Sequence, residues 1–256
     1  MILSYIQNIS TAHVLLLSAS KLANQLGKEF GVLQFVGSDK EIGERESVLS
    51  EVLRTLRIKT AFSEVCCAKL SQLSEICEKR DVSFLFLQLS DCRSKSIQQL
   101  LNACRDLRIP YLLYKDDFQE LHLDKVILPV NFLEEEVEKA QFAAAFGRFC
   151  GSEIVMLLAN DYGSKAGTNA ERMQQLFDKF EFKYSFGKGL KDSFGIDKEA
   201  VQKAENENAG IVIVTASRDY GLDDVLFGPK EQHLVKKSTK PVLLINPRGD
   251  LYTLCD

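Results

Sequence analysis

The sequence predicts an α/β protein of two domains, each a five-stranded parallel sheet covered by helices. Short runs rich in β-branched and aromatic residues alternate with segments of helical periodicity, which is the pattern of strand–helix–strand units. Two of these runs, residues 82–89 and 211–215, are apolar at nearly every position, which indicates strands covered on both faces. The whole alternation occurs twice, with a period of about 125–130 residues that indicates an internal duplication.

In the first half, short apolar runs predict strands at residues 2–6, 32–36, 60–66, 82–89 and 111–114. The segments between them predict helices at residues 11–30, 46–56, 69–79 and 96–107. In the second of these helices Val48, Val52 and Leu56 recur every four positions, which places them on one face. Pro110 separates the last helix from the last strand, because proline lacks an amide hydrogen and disfavours helical backbone in the residue before it.

The second half repeats this order, with predicted strands at residues 126–130, 154–159, 182–186, 211–215 and 242–245. The predicted helices are at residues 134–150, 169–180, 198–206 and 232–237. Pro241 repeats the role of Pro110. Acidic residues at the start of the 134–150 helix (Glu134, Glu135, Glu136 and Glu138) suit the positive end of a helix dipole, and we expect them to be solvated. The domains are therefore predicted at residues 1–118 and 122–248.

Composition excludes several classes of protein. The 256 residues are 45% hydrophobic and 27% charged, which is ordinary for a globular protein able to bury a core. The net charge of −4 argues against a nucleic-acid partner. The apolar run at residues 12–19 is too short to span a bilayer, so no membrane partner is expected.

Cysteine and histidine usage points to a reducing cytoplasm and to no metal site. The chain has seven cysteines, an odd number, without a CxxC pair: Cys66, Cys67, Cys77, Cys92, Cys104, Cys150 and Cys255. We interpret the adjacent Cys66 and Cys67 as small buried hydrophobes, with a redox pair as the alternative. The three histidines are far apart in sequence and show no metal-ligand spacing.

Residues 211–245, IVIVTASRDYGLDDVLFGPKEQHLVKKSTKPVLLI, contain a buried strand, a polar loop with glycines, a helix and a proline-led strand. Together with VILPVNFLEEEVEKAQFAAAFG at residues 126–147, this segment resembles the universal stress protein family. The resemblance covers the second half and, more faintly, the first, so the chain looks like a tandem form. It implies two doubly wound, Rossmann-like domains of the adenine nucleotide alpha hydrolase type, with strand order 3-2-1-4-5 in each.

The resemblance also implies where a nucleotide would bind. ATP-binding members carry the loop pattern G-x2-G-x9-G-[S/T] after the fourth strand, because glycines let phosphates reach backbone N–H groups at a helix start. In this chain Thr215, Arg218, Gly228 and Pro229 stand at the four key positions, so three of the four are altered. Compared with the serine or threonine of the ATP-binding pattern, Pro229 lacks both the side-chain hydroxyl and the backbone N–H that could contact a phosphate. Proline is also favourable at the first position of a helix.

Two interpretations of this loop stay open. One is an ordinary capped helix without a ligand; the other is an anion held by the side chains of Arg218, Lys230 and Lys236. Asn131 stands where ATP-binding relatives have an aspartate, and it either contacts a sugar or base or caps the following turn. The candidate vestigial nucleotide site comprises Pro129, Asn131, Ala159, Thr215, Arg218, Gly221, Gly228, Pro229 and Lys230.

Other nucleotide or anion sites have less support. No glycine occurs between Gly43 and Pro110, so the phosphate loop is absent from the first half and no nucleotide site is expected there. The glycine-rich basic segment 187–195 is interpreted as a flexible connection, with an anion-binding loop as the alternative.

The resemblance implies a cytoplasmic, non-enzymatic protein that acts in stress response through binding or protein interaction. The alternative is a stress-responsive switch that binds ATP or AMP in the second domain. An adenylating or phosphotransfer enzyme is disfavoured, because no acid–base pair or metal cluster stands out in the sequence. We therefore expect no catalytic residues, no metal and no cofactor, apart from the ATP or AMP of the alternative.

The expected partners follow from the same resemblance. Domains of this family pair through their last strands, so we expect residues 111–114 and 242–245 to lie side by side in an intramolecular pseudo-dimer. A homodimer of whole chains is compatible with this arrangement, and an unidentified protein is the expected partner.

Overall fold

The computed structural model describes residues 1–163, 165–217 and 228–248. The chain divides into two compact units, Met1–Leu121 and His122–Asp256. Each unit is an α/β sandwich in which a parallel sheet carries helices, as the sequence predicts. Within the described residues, no helix is long and apolar enough to cross a membrane.

The sheet of the first unit contains strands β1 (Ile2–Ile6), β2 (Phe30–Val36), β3 (Phe62–Cys67), β4 (Phe84–Leu89) and β5 (Tyr111–Lys115). Its helices are α1 (His13–Gln25), α2 (Ile42–Thr55), α3 (Leu73–Lys79) and α4 (Ser94–Cys104). β1 pairs in parallel with β2 and β4, β2 pairs with β3, and β4 pairs with β5. These pairings give the order 3-2-1-4-5. β1 and β4 are buried at every position, which is why their sequences are so apolar.

The second unit repeats this arrangement with β6 (Lys125–Val130), β7 (Glu153–Leu158), β8 (Tyr184–Lys188), β9 (Ile211–Thr215) and β10 (Val242–Ile245). Its helices are α5 (Ala140–Cys150), α6 (Lys165–Lys179), α7 (Ile196–Asn206) and α8 (Lys230–Lys237). β6 pairs with β7 and β9, β7 with β8, and β9 with β10, all in parallel. The same order, 3-2-1-4-5, results. The carboxyl ends of β6 and β9 therefore flank the crevice where open α/β sheets bind ligands.

Helix α1 ends five residues before the predicted boundary at residue 30. Gly27 adopts φ +61, and the N–H of Lys28 donates to the carbonyl of Ala23 at 2.8 Å, which closes the helix. Phe30 is therefore the first residue of β2 and not the last apolar residue of the helix. The apolar periodicity predicts a helix that continues to residue 30, but the left-handed backbone of Gly27 ends the helix first.

The predicted helix at 134–150 begins with a 3-10 turn, Glu134–Lys139, before α5. The expectation that its acidic start is solvated is wrong for Glu136 and Glu138, which are both buried. In a 3-10 turn, residues three apart eclipse each other, so Glu136 and Lys139 lie together on the inner side. The Glu136–Lys139 pair thus forms in the interior. The sequence of this segment resembles that of a surface helix and does not indicate a buried ion pair.

Candidate functional site

The carboxyl edge of the second sheet brings several of the predicted site residues together. Pro129 lies within β6 beside Leu157 of β7, and the N–H of Ala159 donates to the carbonyl of Val130 at 2.9 Å. Thr215 is the last residue of β9 and is buried. Asn131 follows β6, and Gly228, Pro229 and Lys230 lie at the start of α8. Arg218 and Gly221 lie outside the described residues.

Asn131 holds the turn that follows β6. Its side-chain oxygen accepts from the N–H of Leu133 at 2.8 Å, which is an Asx turn. The amide of Asn169 on α6 donates to the carbonyls of Asn131 and Leu133, at 3.0 and 2.7 Å. Asn131 therefore has the turn-capping role, one of the two roles that the sequence left open.

The start of α8 is shaped by backbone restrictions. Gly228 has φ +82, a conformation that favours glycine, and a β-carbon there would lie 2.5 Å from the terminal amide of Gln232 and would displace that side chain. Pro229 is the residue before the helix, with φ −66 and ψ 157, and α8 begins at Lys230. The placement of Pro229 at the first helical position is thus wrong by one residue. Pro229 is buried and brings no N–H to the helix start.

Lys230 points toward carboxylates and not toward an open anion site. Its ammonium lies 3.1 Å from the Asp197 carboxylate in the first turn of α7. Burial alone lowers the pKa of Lys230, but the carboxylates of Asp197, Glu136 and Glu231 outweigh burial and raise that pKa overall. Lys230 is consequently a protonated partner of internal acids at neutral pH.

An ion cluster occupies the region between β6, β9 and α8. It consists of Glu136, Lys139, Asp197, Lys230 and Glu231, all buried except Lys230, whose side chain is 36% exposed. The Lys139 ammonium lies 2.6 Å from Glu136, and both side chains are at most 1% exposed. Glu231 accepts the N–H of Ser217 just after β9. Three carboxylates thus face two ammonium groups.

The ion cluster contains carboxylate oxygens that accept no hydrogen bond from the described residues. One oxygen each of Glu136, Asp197 and Glu231 is buried and has no hydrogen-bond partner among the residues that the structure describes. The hydroxyl of Thr215 is likewise buried and has no hydrogen-bond partner among the described residues. This surplus of negative acceptors disfavours a phosphate group at the position that the resemblance assigns to it.

A cavity of about 380 Å³ opens at the ends of β7 and β8, and no member of the ion cluster lines it. Its lining includes Ala159, Asp161, Glu171, Phe186 and Lys188. Of the predicted nucleotide site, as far as the structure describes it, Ala159 alone faces the cavity, and Lys188 belongs to the segment 187–195 that the sequence offers as an alternative anion-binding loop. The size of the cavity is within the range of small-molecule pockets. Asp161 is already engaged, because it accepts from both the N–H and the hydroxyl of Ser193.

The corresponding edge of the first unit is filled by one neutral side chain, Gln88 of β4. Its oxygen accepts from the N–H groups of Gln7 and Asn8, both at 2.8 Å. Its amide nitrogen donates to the Asn8 carbonyl, the Thr11 hydroxyl and the Asp116 carboxylate, at 2.8–3.0 Å. Because the amide nitrogen has two hydrogens, its three acceptors share two donors, and the hydrogen-bonding capacity of the side chain is fully used. These contacts occupy the edge where a ligand would enter.

Sequence reasoning missed most of the residues that define both edges; of the ion cluster it identified Lys230 alone as a site residue. Gln88 stands in an apolar strand, and the members of the ion cluster are scattered between residues 136 and 231. Neither Gln88 nor the residues of the ion cluster form a short sequence motif that could be recognised. A polar residue within a fully buried strand was the one available signal, and it applied to Gln88 alone.

Comparison with known proteins supports the fold. No protein-family model matches the chain, and no curated protein matches it. A universal stress protein from Archaeoglobus fulgidus DSM 4304 superposes with a TM-score of 0.71 at 18% identity, covering 97% of each chain. A putative universal stress protein from Pseudomonas aeruginosa UCBPP-PA14 gives 0.61 at 12% identity, over 99% of this chain and 95% of that one. The chain therefore has the fold of these universal stress proteins, as the resemblance implies.

Proposed function

We propose that the chain is a non-enzymatic universal-stress-type protein that acts in stress response by binding a protein partner, without a functional triphosphate site. The shared fold over the whole chain supports the family assignment. The cysteine usage supports a cytoplasmic location. The ion cluster supports the loss of the triphosphate site, and it is the observation on which the proposal depends.

The chain's own carboxylates take the positions from which an anion would be held. Glu231 binds the N–H of Ser217, the backbone donor directly after β9. Asp197 binds Lys230, the first side chain of α8. A triphosphate would have to displace these internal carboxylates and then lie beside them, at a high electrostatic cost in a buried setting.

The alternative function is a nucleotide-responsive switch in the second unit. The cavity beside Ala159 favours it, because it has room for a small ligand and includes Lys188. An enzyme has less support, since several polar side chains at this edge serve the fold: Asn131, Asp161, Ser193 and Lys230 all have structural partners.

The proposal is tested by calorimetric titration of the whole chain with ATP, ADP and AMP, with and without Mg²⁺. We expect no heat and no thermal shift at millimolar nucleotide. Binding that is lost in Arg218→Ala or Lys230→Ala, but kept in Lys237→Ala, would establish the switch instead. Lys237 is a suitable control because it is exposed and lies at the far end of the same helix.

A further inference from the structure

The strand at the outer edge of the second sheet, β8, has a side that no other described strand covers. Within the described residues β8 pairs with β7 alone, from Ile154 opposite Tyr184 to Leu158 opposite Lys188. Three of the five residues of β8 are exposed, whereas β9 in the middle of the sheet is buried at every position. Backbone groups on an open strand edge can pair with another chain.

The hydrogen bonds between β7 and β8 show which backbone groups face outward. The N–H of Ile154 donates to the carbonyl of Lys183 at 2.9 Å, and the N–H of Gly189 donates to a carbonyl of β7 at 2.7 Å. In a strand, the backbone groups of successive residues point to opposite sides, so the odd-numbered residues here face β7. The N–H and carbonyl groups of the even-numbered residues within Tyr184–Lys188 therefore point away from the sheet.

The end of β8 is held in place, contrary to the flexible connection expected for residues 187–195. β8 itself extends to Lys188, and the N–H groups of Leu190 and Lys191 both donate to the Glu199 carboxylate, at 2.8–2.9 Å. The strand edge is therefore preorganised, which lowers the entropy lost when another strand binds to it.

Aromatic side chains follow the same alternation along β8. Phe182, just before the strand, and Tyr184 both contact the Phe177 ring of α6, so they lie on one face of the sheet. The Phe186 ring meets the Tyr184 ring nearly edge-on with centroids 5.7 Å apart, and Phe186 is 48% exposed. A strand that pairs with this edge would therefore bring its own side chains against an apolar row.

The edge strand of the first unit, β3, is protected from such pairing by charge. Glu64 of β3 forms an ion pair with Arg80 at 3.2 Å, and the Arg80 guanidinium lies 4.0 Å from the centre of the Phe62 ring. Charged side chains on an edge strand disfavour pairing with another chain. In β8 the residues 184–186 carry no charge, so this protection is missing from its centre.

We propose that β8 pairs with β8 of a second copy of the chain, antiparallel and centred on Ser185. A two-fold axis perpendicular to the sheet keeps each face on its own side, so even-numbered residues lie opposite even-numbered ones. Tyr184 of each copy then lies opposite Phe186 of the other, and both residues supply outward backbone groups. Helix α6 lies mainly over β6 and β7, which leaves room beside β8.

The charges and rings of β8 select a second copy and this register. With Ser185 on the axis, Lys183 lies opposite Gly187 and Lys188 opposite Phe182, where an ammonium group can lie against the ring. Centring on residue 184 would instead bring the two copies of Lys183 into diagonal contact, about 7–8 Å apart. Centring on residue 186 would give a single aromatic pair. The segment is thus complementary to itself, and closed two-fold dimers are the commonest oligomers.

Sedimentation velocity of the whole chain between about 1 and 300 μM measures the pairing. A contact limited to one strand pair lies at the small end of protein interfaces, so we expect a dissociation constant of roughly 10–100 μM. Ser185→Lys places two ammonium groups opposite each other on the axis and should weaken association at least about tenfold. Ser63→Lys is the matched control, because Ser63 is an exposed serine on the other edge strand, β3, and it should leave association unchanged.

Oxidative cross-linking tests the register. In an antiparallel pair, opposite residues that share no backbone hydrogen bond have α-carbons about 4.5 Å apart, within the range of a disulfide. Ser185→Cys should therefore join two copies. Lys183→Cys should not, because its two copies would lie four residues apart along the strands, about 13 Å. Both variants also carry Cys67→Ser and Cys92→Ser, since these native cysteines are exposed, and mass spectrometry identifies the joined peptide.

Other outcomes would overturn the proposal. A chain that stays monomeric at every concentration would do so, as would association that Ser185→Lys leaves intact, which would place the interface elsewhere. Cross-linking of Lys183→Cys as fast as that of Ser185→Cys would refute the register. A monomer that binds extended peptides, with binding lost in Ser185→Lys, would assign the edge to a strand of another protein. The inference goes beyond the proposed function and does not depend on the nucleotide titration.

Discussion

Replacing Lys139 with methionine tests whether the ion cluster is as buried and as tightly paired as the structure shows. Lys139 and Glu136 are at most 1% exposed, and their charged atoms are 2.6 Å apart. Lys139→Met keeps most of the aliphatic volume but leaves the Glu136 carboxylate without its cation. Breaking a buried pair by removing one partner costs about 3–5 kcal/mol, because the remaining charge is desolvated and uncompensated.

The chain offers a control pair with the same separation of charged atoms and a different environment. Lys79 and Glu75 on α3 also lie 2.6 Å apart, but their side chains are 70% and 61% exposed. Exposed pairs of this kind contribute little to stability, so Lys79→Met should leave the unfolding midpoint within experimental error. Burial is then the variable that separates the two substitutions.

Urea unfolding followed by circular dichroism, with hydrogen exchange of the β6 amides as the local readout, measures the effect. We expect Lys139→Met to lower the midpoint by about 1 M or more. Lys139→Met combined with Glu136→Gln should recover at least half of the loss, since no unpaired charge remains. The reasoning is refuted if Lys139→Met behaves like Lys79→Met, or if the double substitution is no more stable than the single one.

Two further predictions concern the first unit. Gln88→Met removes all hydrogen bonds of that side chain and should destabilise the chain by about 3 kcal/mol or more. The melting temperature measures this loss, and Gln99→Met, at an exposed position of α4, should leave it unchanged. Equal effects of the two substitutions would contradict the structural role of Gln88. The structure leaves Cys66 half-buried and Cys67 exposed, so the interpretation of this pair as buried hydrophobes is wrong for Cys67. Burial, with a smaller contribution from Glu78, raises the pKa of Cys77 from 9.0 to about 12. Iodoacetamide near pH 9 should therefore label Cys67 and leave Cys77 unmodified in the folded chain. Because the unfolded thiol ionises first, this group's contribution to stability is present below pH 9 and is lost as the pH rises toward 12; equal labelling rates by mass spectrometry would refute the burial of Cys77.

The order of elements was predictable because each strand and helix has its own periodicity. The strands Ile2–Ile6, Ile211–Thr215 and Val242–Ile245 were predicted to the residue, since apolar runs with sharp polar ends define their limits. Predicted helix boundaries were wrong where the local backbone conformation overrode the hydrophobic periodicity. Gly27 ended α1 early, and a 3-10 turn replaced the first part of the helix predicted at 134–150.

The candidate site was predictable only in part, for a physical reason. Gly228 and Pro229 act through the backbone of neighbouring residues, so their effect can be read locally from the sequence. The ion cluster depends on Glu136, Asp197 and Glu231, which come from three separate elements and meet only after the sheet has formed. A charge in a polar segment gives no indication of whether folding will bury it.

The two units satisfy the same structural requirement in different ways. In a sheet of order 3-2-1-4-5, the chain leaves the first and fourth strands toward opposite faces and exposes backbone N–H groups in the crevice between them. The first unit satisfies these donors with the neutral Gln88, at no cost in buried charge. The second unit uses Glu231 on the N–H of Ser217, which requires cations nearby and yields the ion cluster.

This difference bears on where the chain can bind a partner. Because internal side chains already occupy both crevices, a ligand there must compete with hydrogen bonds that the fold itself provides. The loop at residues 189–195 differs from the crevices: the N–H groups of Leu190 and Lys191 donate to Glu199, and the side chains of Leu190 and Phe194 remain exposed. We therefore expect the protein binding proposed above to take place outside the crevices, where apolar side chains can be buried without breaking internal hydrogen bonds.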